Sequence, residues 1–167
     1  MHKDLNKSVN YHLEPGYVYV NGSGGVIRTV VGSCVAVVLW DSKIRVGGMN
    51  HYIYAHTTKH DKATTRFGNV ALPALFRMMH REFGCRASDI HAQIIGGASP
   101  LQFTSKTGGI DNIKVARKYL HRAGIRIVSE DTGGYMGRKV LFDTATGQVA
   151  IIKVQQLRRE DWVKVIR

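Results

Sequence analysis

Val35-Ala36-Val37-Val38-Leu39 is apolar at every position. A strand with one face in water alternates apolar and polar residues, so this unbroken run predicts a strand covered on both faces, inside a sheet with layers on either side. The run lies within a longer segment, Ser33–Trp40. Similar segments at Tyr17–Val20, Val26–Val31, Val46–Tyr54, Ala92–Ile95, Arg126–Ser129, Lys139–Phe142 and Gln148–Val154 read as its companions. Asp41-Ser42-Lys43 and Asp143-Thr144-Ala145-Thr146-Gly147 have the composition of hairpin connections. Two segments keep the helical period instead. In the first, Leu72, Leu75, Met79 and Phe83 recur at three- and four-residue steps, with Asn69 as N-cap, Pro73 in the first turn and Gly84 at the end. In the second, Ile113, Ala116, Tyr119, Leu120 and Ala123 mark an apolar face, Lys114, Arg117, Lys118 and Arg122 point elsewhere, and Gly124 ends the run. The pattern predicts an α+β fold, a β-rich layered core of mixed sheet flanked by two main helices. Periodicity does not give the strand order.

Length and composition fit one domain over residues 1–167. A chain of this size buries roughly 70% of its unfolded surface, and no repeat, low-complexity tract or Pro-rich linker divides it. At 44% hydrophobic and 22% charged it does not resemble a disordered polycation, although 24 Lys and Arg against 12 Asp and Glu leave a net charge of +12. That charge admits nucleic acid, an anionic membrane surface or an acidic protein as partner. Nucleic acid drops out because no aromatic stacking platform or basic recognition helix accompanies the lysines. No apolar run approaches the ~18 residues of a membrane span. The start, Met1-His2-Lys3-Asp4-Leu5-Asn6-Lys7, leads into no signal-peptide core, so a cytoplasmic location without membrane insertion is expected. Little length is left for a separate targeting module, which puts partner recognition on this one domain itself.

Cys34 and Cys85 are too few for a disulfide framework, and no Cys-x-x-Cys pair points to zinc or to redox exchange. Cys34 nevertheless has a distinctive setting. In Thr29-Val30-Val31-Gly32-Ser33-Cys34 a small-residue turn stands directly before a thiol that opens the buried strand, so the thiol can face a cleft. A catalytic thiol needs a base, because at pKa ~8.5 only a few per cent is ionised at neutral pH. Gly47-Gly48-Met49-Asn50-His51 supplies an imidazole on the next apolar strand, which a hairpin after Asp41 brings back beside Cys34. Ser33 is the rival nucleophile but lacks a Gly-x-Ser-x-Gly elbow. His51, His56, His60 and Asp61 show no metal-ligand spacing and read as a solvated loop beyond the strand. Cys85 reads as packing. Gly96-Gly97-Ala98-Ser99 lacks the phosphate-loop fingerprints and reads as close backbone approach near a site. Gly133-Gly134 is either a bend at the cleft edge or an ordinary loop.

Thr29 to Cys34, Gly47 to His51, Arg66-Phe67-Gly68, Gly96-Gly97-Ala98 and the run from Glu130 to Arg138 together resemble the CheD family of chemoreceptor glutamine deamidases. The motifs follow in the family's order through roughly Pro15 to Val154, and the step of seventeen residues from Cys34 to His51 matches its nucleophile-to-base separation. The resemblance implies hydrolysis of glutamine side-chain amides in the cytoplasmic helices of methyl-accepting chemotaxis receptors. Cys34 would be the nucleophile, made thiolate by His51, and a γ-glutamyl thioester the intermediate. Backbone donors of Cys34 and the Gly32-Ser33 turn would hold the oxyanion, with Gly48 on the cleft backbone. No cofactor or metal is implied, and the fold implied is that of the cytotoxic necrotizing factor catalytic domain. In the family pattern the histidine is oriented by a threonine six positions before the cysteine, which here is Arg28, with Thr29 one residue later. Neighbouring strand residues face opposite ways, so either a bulge re-aims Thr29 or another group, such as a backbone carbonyl, takes the role. Asp111 stands where the family usually has arginine, before Asn112.

Close relatives of this chemistry are thioester attack on glutamyl methyl esters and transglutamination. The alternative from another class is a non-catalytic chemotaxis adaptor that binds receptors or a CheC-type phosphatase.

Overall fold

The computed structural model of the chain describes residues 9–99, 108–157 and Asp161. Its elements in chain order are β1 (Val9–His12), β2 (Val18–Asn21), β3 (Gly25–Val31), β4 (Val35–Asp41), β5 (Val46–Tyr52), α1 (Gly68–Phe83), β6 (Ile90–Gly96), α2 (Gly108–Ala123), β7 (Arg126–Thr132), β8 (Gly137–Asp143) and β9 (Val149–Val154). The strands form two sheets, one ordered β2-β5-β4-β6-β7 and the other β1-β3-β8-β9. Both are mixed, because β6 pairs with β7 and β1 with β3 in parallel while the other pairs are antiparallel. The parallel β6–β7 pair needs a crossover, and α2 supplies it.

Burial of β4 on both faces sets the layers. Val35, Val37 and Leu39 face α1 and α2, packing with Leu72, Leu75, Met79, Ile113, Ala116 and Leu120. Ala36 and Val38 face the other sheet, together with Cys34 and Met49, and meet Ile27, Val31, Val140 and Phe142. The result is helices, five-stranded sheet and four-stranded sheet stacked in that order, an α+β arrangement as the apolar run predicts. The two connections expected as hairpins are also present, with Asp41 Oδ1 accepting from the N–H of Lys43 at 3.0 Å and Asp143 Oδ1 from that of Ala145 at 2.8 Å. Among the described residues no helix is long and apolar enough to cross a membrane.

Three local expectations are corrected. The sequence reading misses β1, a four-residue strand held as an edge to β3, where Tyr11 stacks on Tyr19 of the facing sheet with ring centroids 3.8 Å apart. Asn69 is not the N-cap of α1. Phe67 occupies that position, and the Asn69 carboxamide instead braces the preceding loop, donating to Thr57 O at 2.9 Å and accepting from Thr57 N at 3.1 Å. With α1 starting at Gly68, Pro73 lies past the first turn, where its missing N–H leaves the Asn69 carbonyl without its helical donor.

Gly48 is likewise not on the cleft. It lies in β5 opposite Leu39, on the helix side of the sheet. A Cβ there would come within 2.7 Å of Leu75 Cδ1 and 2.9 Å of Val20 Cγ2, so its missing side chain is what lets α1 sit close. Leu75, fully buried at this contact, provides a test. Leu75→Ala is expected to cost about 2–5 kcal/mol, lowering Tm by roughly 2–4 °C for each kcal/mol. Ile44→Ala, at an exposed position in the β4–β5 turn, is expected to leave Tm within a degree or so. Equal Tm values for the two variants would contradict this packing of α1.

Candidate active site

His51 is the penultimate residue of β5, directly opposite Ala36, and it is completely buried. Its partner comes from the other sheet. Thr29 Oγ1 lies 2.7 Å from His51 Nδ1 and 2.7 Å from the carbonyl oxygen of Leu13. Two oxygens at that distance need a hydrogen between them, and only the threonine has one, so Thr29 donates to Leu13. Its single proton thus used, Thr29 can only accept from the imidazole, which places the ring proton on Nδ1 and leaves Nε2 with its lone pair. Burial, with His12 acting in the same direction, pushes the His51 pKa down to about 3, so the ring is neutral.

This arrangement resolves the one-residue offset in the sequence. The register of β3 against β8 runs without interruption from Val26 to Val31, so no bulge is present. Ordinary alternation turns Thr29 inward and Arg28 to solvent. Arg28 therefore plays no part at the histidine, and the carbonyl that enters the site, that of Leu13, acts through Thr29.

Cys34 lies in the bend just before β4 and packs in the same cluster between the sheets as Ala36, the residue opposite His51. The thiol is 9% exposed, beside the exposed Ser33. Burial pushes its pKa up to about 11, although its own backbone N–H, bonded toward the sulfur, pulls the other way. Cys85, packed under the helices, is also pushed up to about 11 by burial. The resting site therefore holds a neutral thiol and a neutral imidazole. Dry surroundings disfavour both charges.

The turn before Cys34 is held by its carbonyls. Gly32 O accepts from Ala98 N at 2.9 Å, Ser33 O from Asn112 Nδ2 at 2.9 Å and Cys34 O from Gly97 N at 2.8 Å. Gly96 is required for this approach: at φ +113°, a Cβ would fall 2.4 Å from Cys34 O. The Gly133-Gly134 bend joins the same wall, through Gly133 N to Gly96 O at 3.0 Å and Ser99 N to Gly134 O at 2.8 Å. Buried Arg138 fixes the bend from behind by donating to the carbonyls of Gly133 and Met136 and to Asp131.

Asn112 escaped the sequence reading, although a carboxamide in line with Ala116 and Leu120 on the apolar face of α2 was the available signal. Asp111 beside it lines a groove of about 620 Å³ with His56, Lys114, Lys118 and Arg122. His60 and Asp61 lie in a short exposed turn, and no three His, Cys, Asp or Glu side chains converge among the described residues.

A cysteine and a histidine on the inner side of one sheet, with the histidine tethered by a threonine of the facing sheet, make up a candidate hydrolase site. The family model described as CheD chemotactic sensory transduction matches residues 54–153. A Sulfurimonas denitrificans protein named "Probable chemoreceptor glutamine deamidase CheD" is 37% identical, over 87% of this chain and 94% of its own. A Rhodospirillum rubrum protein of the same name is 41% identical, over 90% of this chain and 86% of its own. The chain belongs to the CheD family. Among solved structures, that of the Bacillus licheniformis hypothetical protein YfiH is similar at a TM-score of 0.46 and 16% identity, covering 66% of this chain and 48% of that one, a likeness too slight to bear on the site.

The buried neutral histidine has a consequence for stability. Between its ordinary pKa of 6.5 and the native value of about 3, the unfolded chain binds a proton that the native one refuses. Unfolding free energy therefore falls as pH drops through this window, by up to about 1.4 kcal/mol per pH unit. Urea midpoints measured from pH 7.5 to 4 are expected to decline less steeply in His51→Gln. Parallel declines would show that His51 is not buried neutral.

Proposed function

We propose that this chain is a cytoplasmic protein-glutamine deamidase acting on chemoreceptor helices, with Cys34 as nucleophile and His51 as base and then acid. The observation that carries the reading is the Leu13–Thr29–His51 relay, which leaves Nε2 as the proton acceptor on the face of the sheet that Cys34 shares. The names of the relatives support the substrate class.

Because both groups rest neutral, the thiol proton passes to His51 Nε2 as Sγ bonds to the amide carbon. The amide oxygen takes the negative charge and meets the Cys34 N–H, with the Gly32-Ser33 turn as the neighbouring source of donors. His51 then gives its proton to the amide nitrogen, the C–N bond breaks and ammonia leaves the γ-glutamyl thioester. Water adds to the thioester, losing a proton to Nε2, and collapse returns that proton to sulfur, releasing glutamate.

Mass spectrometry of a receptor cytoplasmic fragment tests the chemistry, because each converted glutamine gains about one dalton and forms only through the thioester. Cys34→Ala is expected to abolish the gain, and His51→Ala to slow it by about 10²–10⁴-fold. Retention by Cys34→Ala would overturn the mechanism. The adaptor reading draws on the raised thiol pKa. It predicts no gain even with the wild-type chain, while receptor or CheC-type binding persists.

Recognition is assigned to the catalytic domain, where Lys114, Lys118 and Arg122 recur every four residues along the groove beside Asp111 and Asn112. With a net charge of +12, encounter with an acidic receptor bundle is steered electrostatically, so kcat/KM is expected to fall as ionic strength rises. A flat profile would remove that role.

A further inference from the structure

Asn112 holds a place that packing does not explain. It sits on the buried face of α2 at 2% exposure, yet carries a carboxamide. Both side-chain N–H groups are used, one on Ser33 O and one on Ile53 O, each at 2.9 Å. With nitrogen forced toward two carbonyls, Oδ1 is left buried without a hydrogen-bond partner. A leucine here would carry no such cost, so the position is filled for its donors. The Asn112 backbone carbonyl meanwhile accepts from the buried Tyr52 hydroxyl, next to His51.

The contact with Ser33 matters because of what lies at the other end of the same peptide. Ser33 C=O and Cys34 N–H belong to one planar trans unit and point in opposite directions. Fixing the carbonyl on Asn112 therefore fixes the N–H that the proposed reaction needs at its oxyanion. Among the described residues no other group holds this carbonyl. The carbonyls of Gly32 and Cys34 are held by Ala98 and Gly97, but they belong to the adjoining peptides.

We propose that Asn112 is a positioning residue for the oxyanion site: by holding Ser33 O from α2, it keeps the Cys34 N–H aimed at the side of the sheet where the thiol attacks. This rests on the deamidase reading and deepens it. Asn112 touches no reacting atom. It acts through one peptide plane, and its loss lets that plane rotate while leaving sulfur and imidazole on their strands.

The test separates oxyanion-forming chemistry from simple alkylation. Iodoacetamide reacts with sulfur by displacement and develops no oxyanion, so its rate at Cys34 reports the thiol and its base alone. In Asn112→Ala, kcat on a receptor-helix peptide is expected to fall about a hundredfold. KM and the iodoacetamide rate at Cys34, followed by peptide mass mapping to distinguish Cys85, stay within about twofold of wild type, since neither depends on the oxyanion donor. Asn112→Asp keeps the shape and provides one O–H donor when protonated and none when ionised. Its kcat relative to wild type is therefore expected to climb as pH is lowered.

Unchanged kcat in Asn112→Ala overturns the proposal, as does a parallel fall in kcat and alkylation, which is the signature of a purely structural role. Should Asn112→Ala not fold, the pH profile of Asn112→Asp decides, and a flat ratio to wild type overturns it. A Cys34→Ala protein that still deamidates would instead overturn the underlying reading. An inactive Cys34→Ala beside a fully active Asn112→Ala removes only the role of Asn112.

Discussion

The double burial of β4 is the constraint on which the rest of the structure depends. A strand with both faces dry must divide its side chains between two cores, and alternation sends Val35, Val37 and Leu39 to the helices and Ala36 and Val38 to the second sheet, where Cys34, just before the strand, joins them. His51, opposite Ala36, is thereby committed to the space between the sheets. Thr29 can reach it because β3, at the centre of the facing sheet, presents alternate residues to that same space. A register slip of one residue in β4 or β5 would exchange the two faces and send the histidine to the helix side.

Burial also sets the electrostatics. In a dry site an isolated charge is expensive, so the thiol is held protonated and the imidazole neutral. Cys85 shows that a raised pKa alone does not mark a nucleophile, since burial, with the Asp41 carboxylate adding to it, pushes up this thiol in the connection after α1 as well. What distinguishes Cys34 is its neighbourhood, with an exposed small residue before it, three tethered carbonyls around it and a histidine across the ladder.

Most of the fold was legible because its signals are local. Unbroken apolar runs mark strands buried on both sides, and the Leu72-Leu75-Met79 and Ile113-Ala116-Leu120 series mark helices by their period. What the reading missed depends on partners distant in sequence. β1 is strand-like only because β3 offers it an edge, and Asn69 reads as a cap until Thr57 is seen to occupy its carboxamide. At the site, the motifs single out Cys34 and His51, and the fold brings both to the space between the sheets. The assignment of Thr29 over Arg28 required knowing that β3 runs without a bulge. Asn112 shows in the sequence only as a carboxamide on an apolar helix face, because its value lies in carbonyls 79 and 59 residues away.

The choice of a hydroxyl to orient His51 ties these features together. A carboxylate at Nδ1 would stabilise imidazolium and raise the histidine pKa, at the cost of burying a charge between the sheets. Thr29, its proton committed to Leu13 O, gives the same tautomer with no charge. In the proposed reaction the imidazolium would have no anionic support from behind. Its compensation would come from the negative charge developing in front of it, on sulfur and then on the amide oxygen. In such a site the donors that meet this oxygen carry more of the barrier reduction than in one with a buried carboxylate. The orientation of the Ser33–Cys34 peptide, and hence whatever grips its carbonyl, becomes the point at which the arrangement is most sensitive.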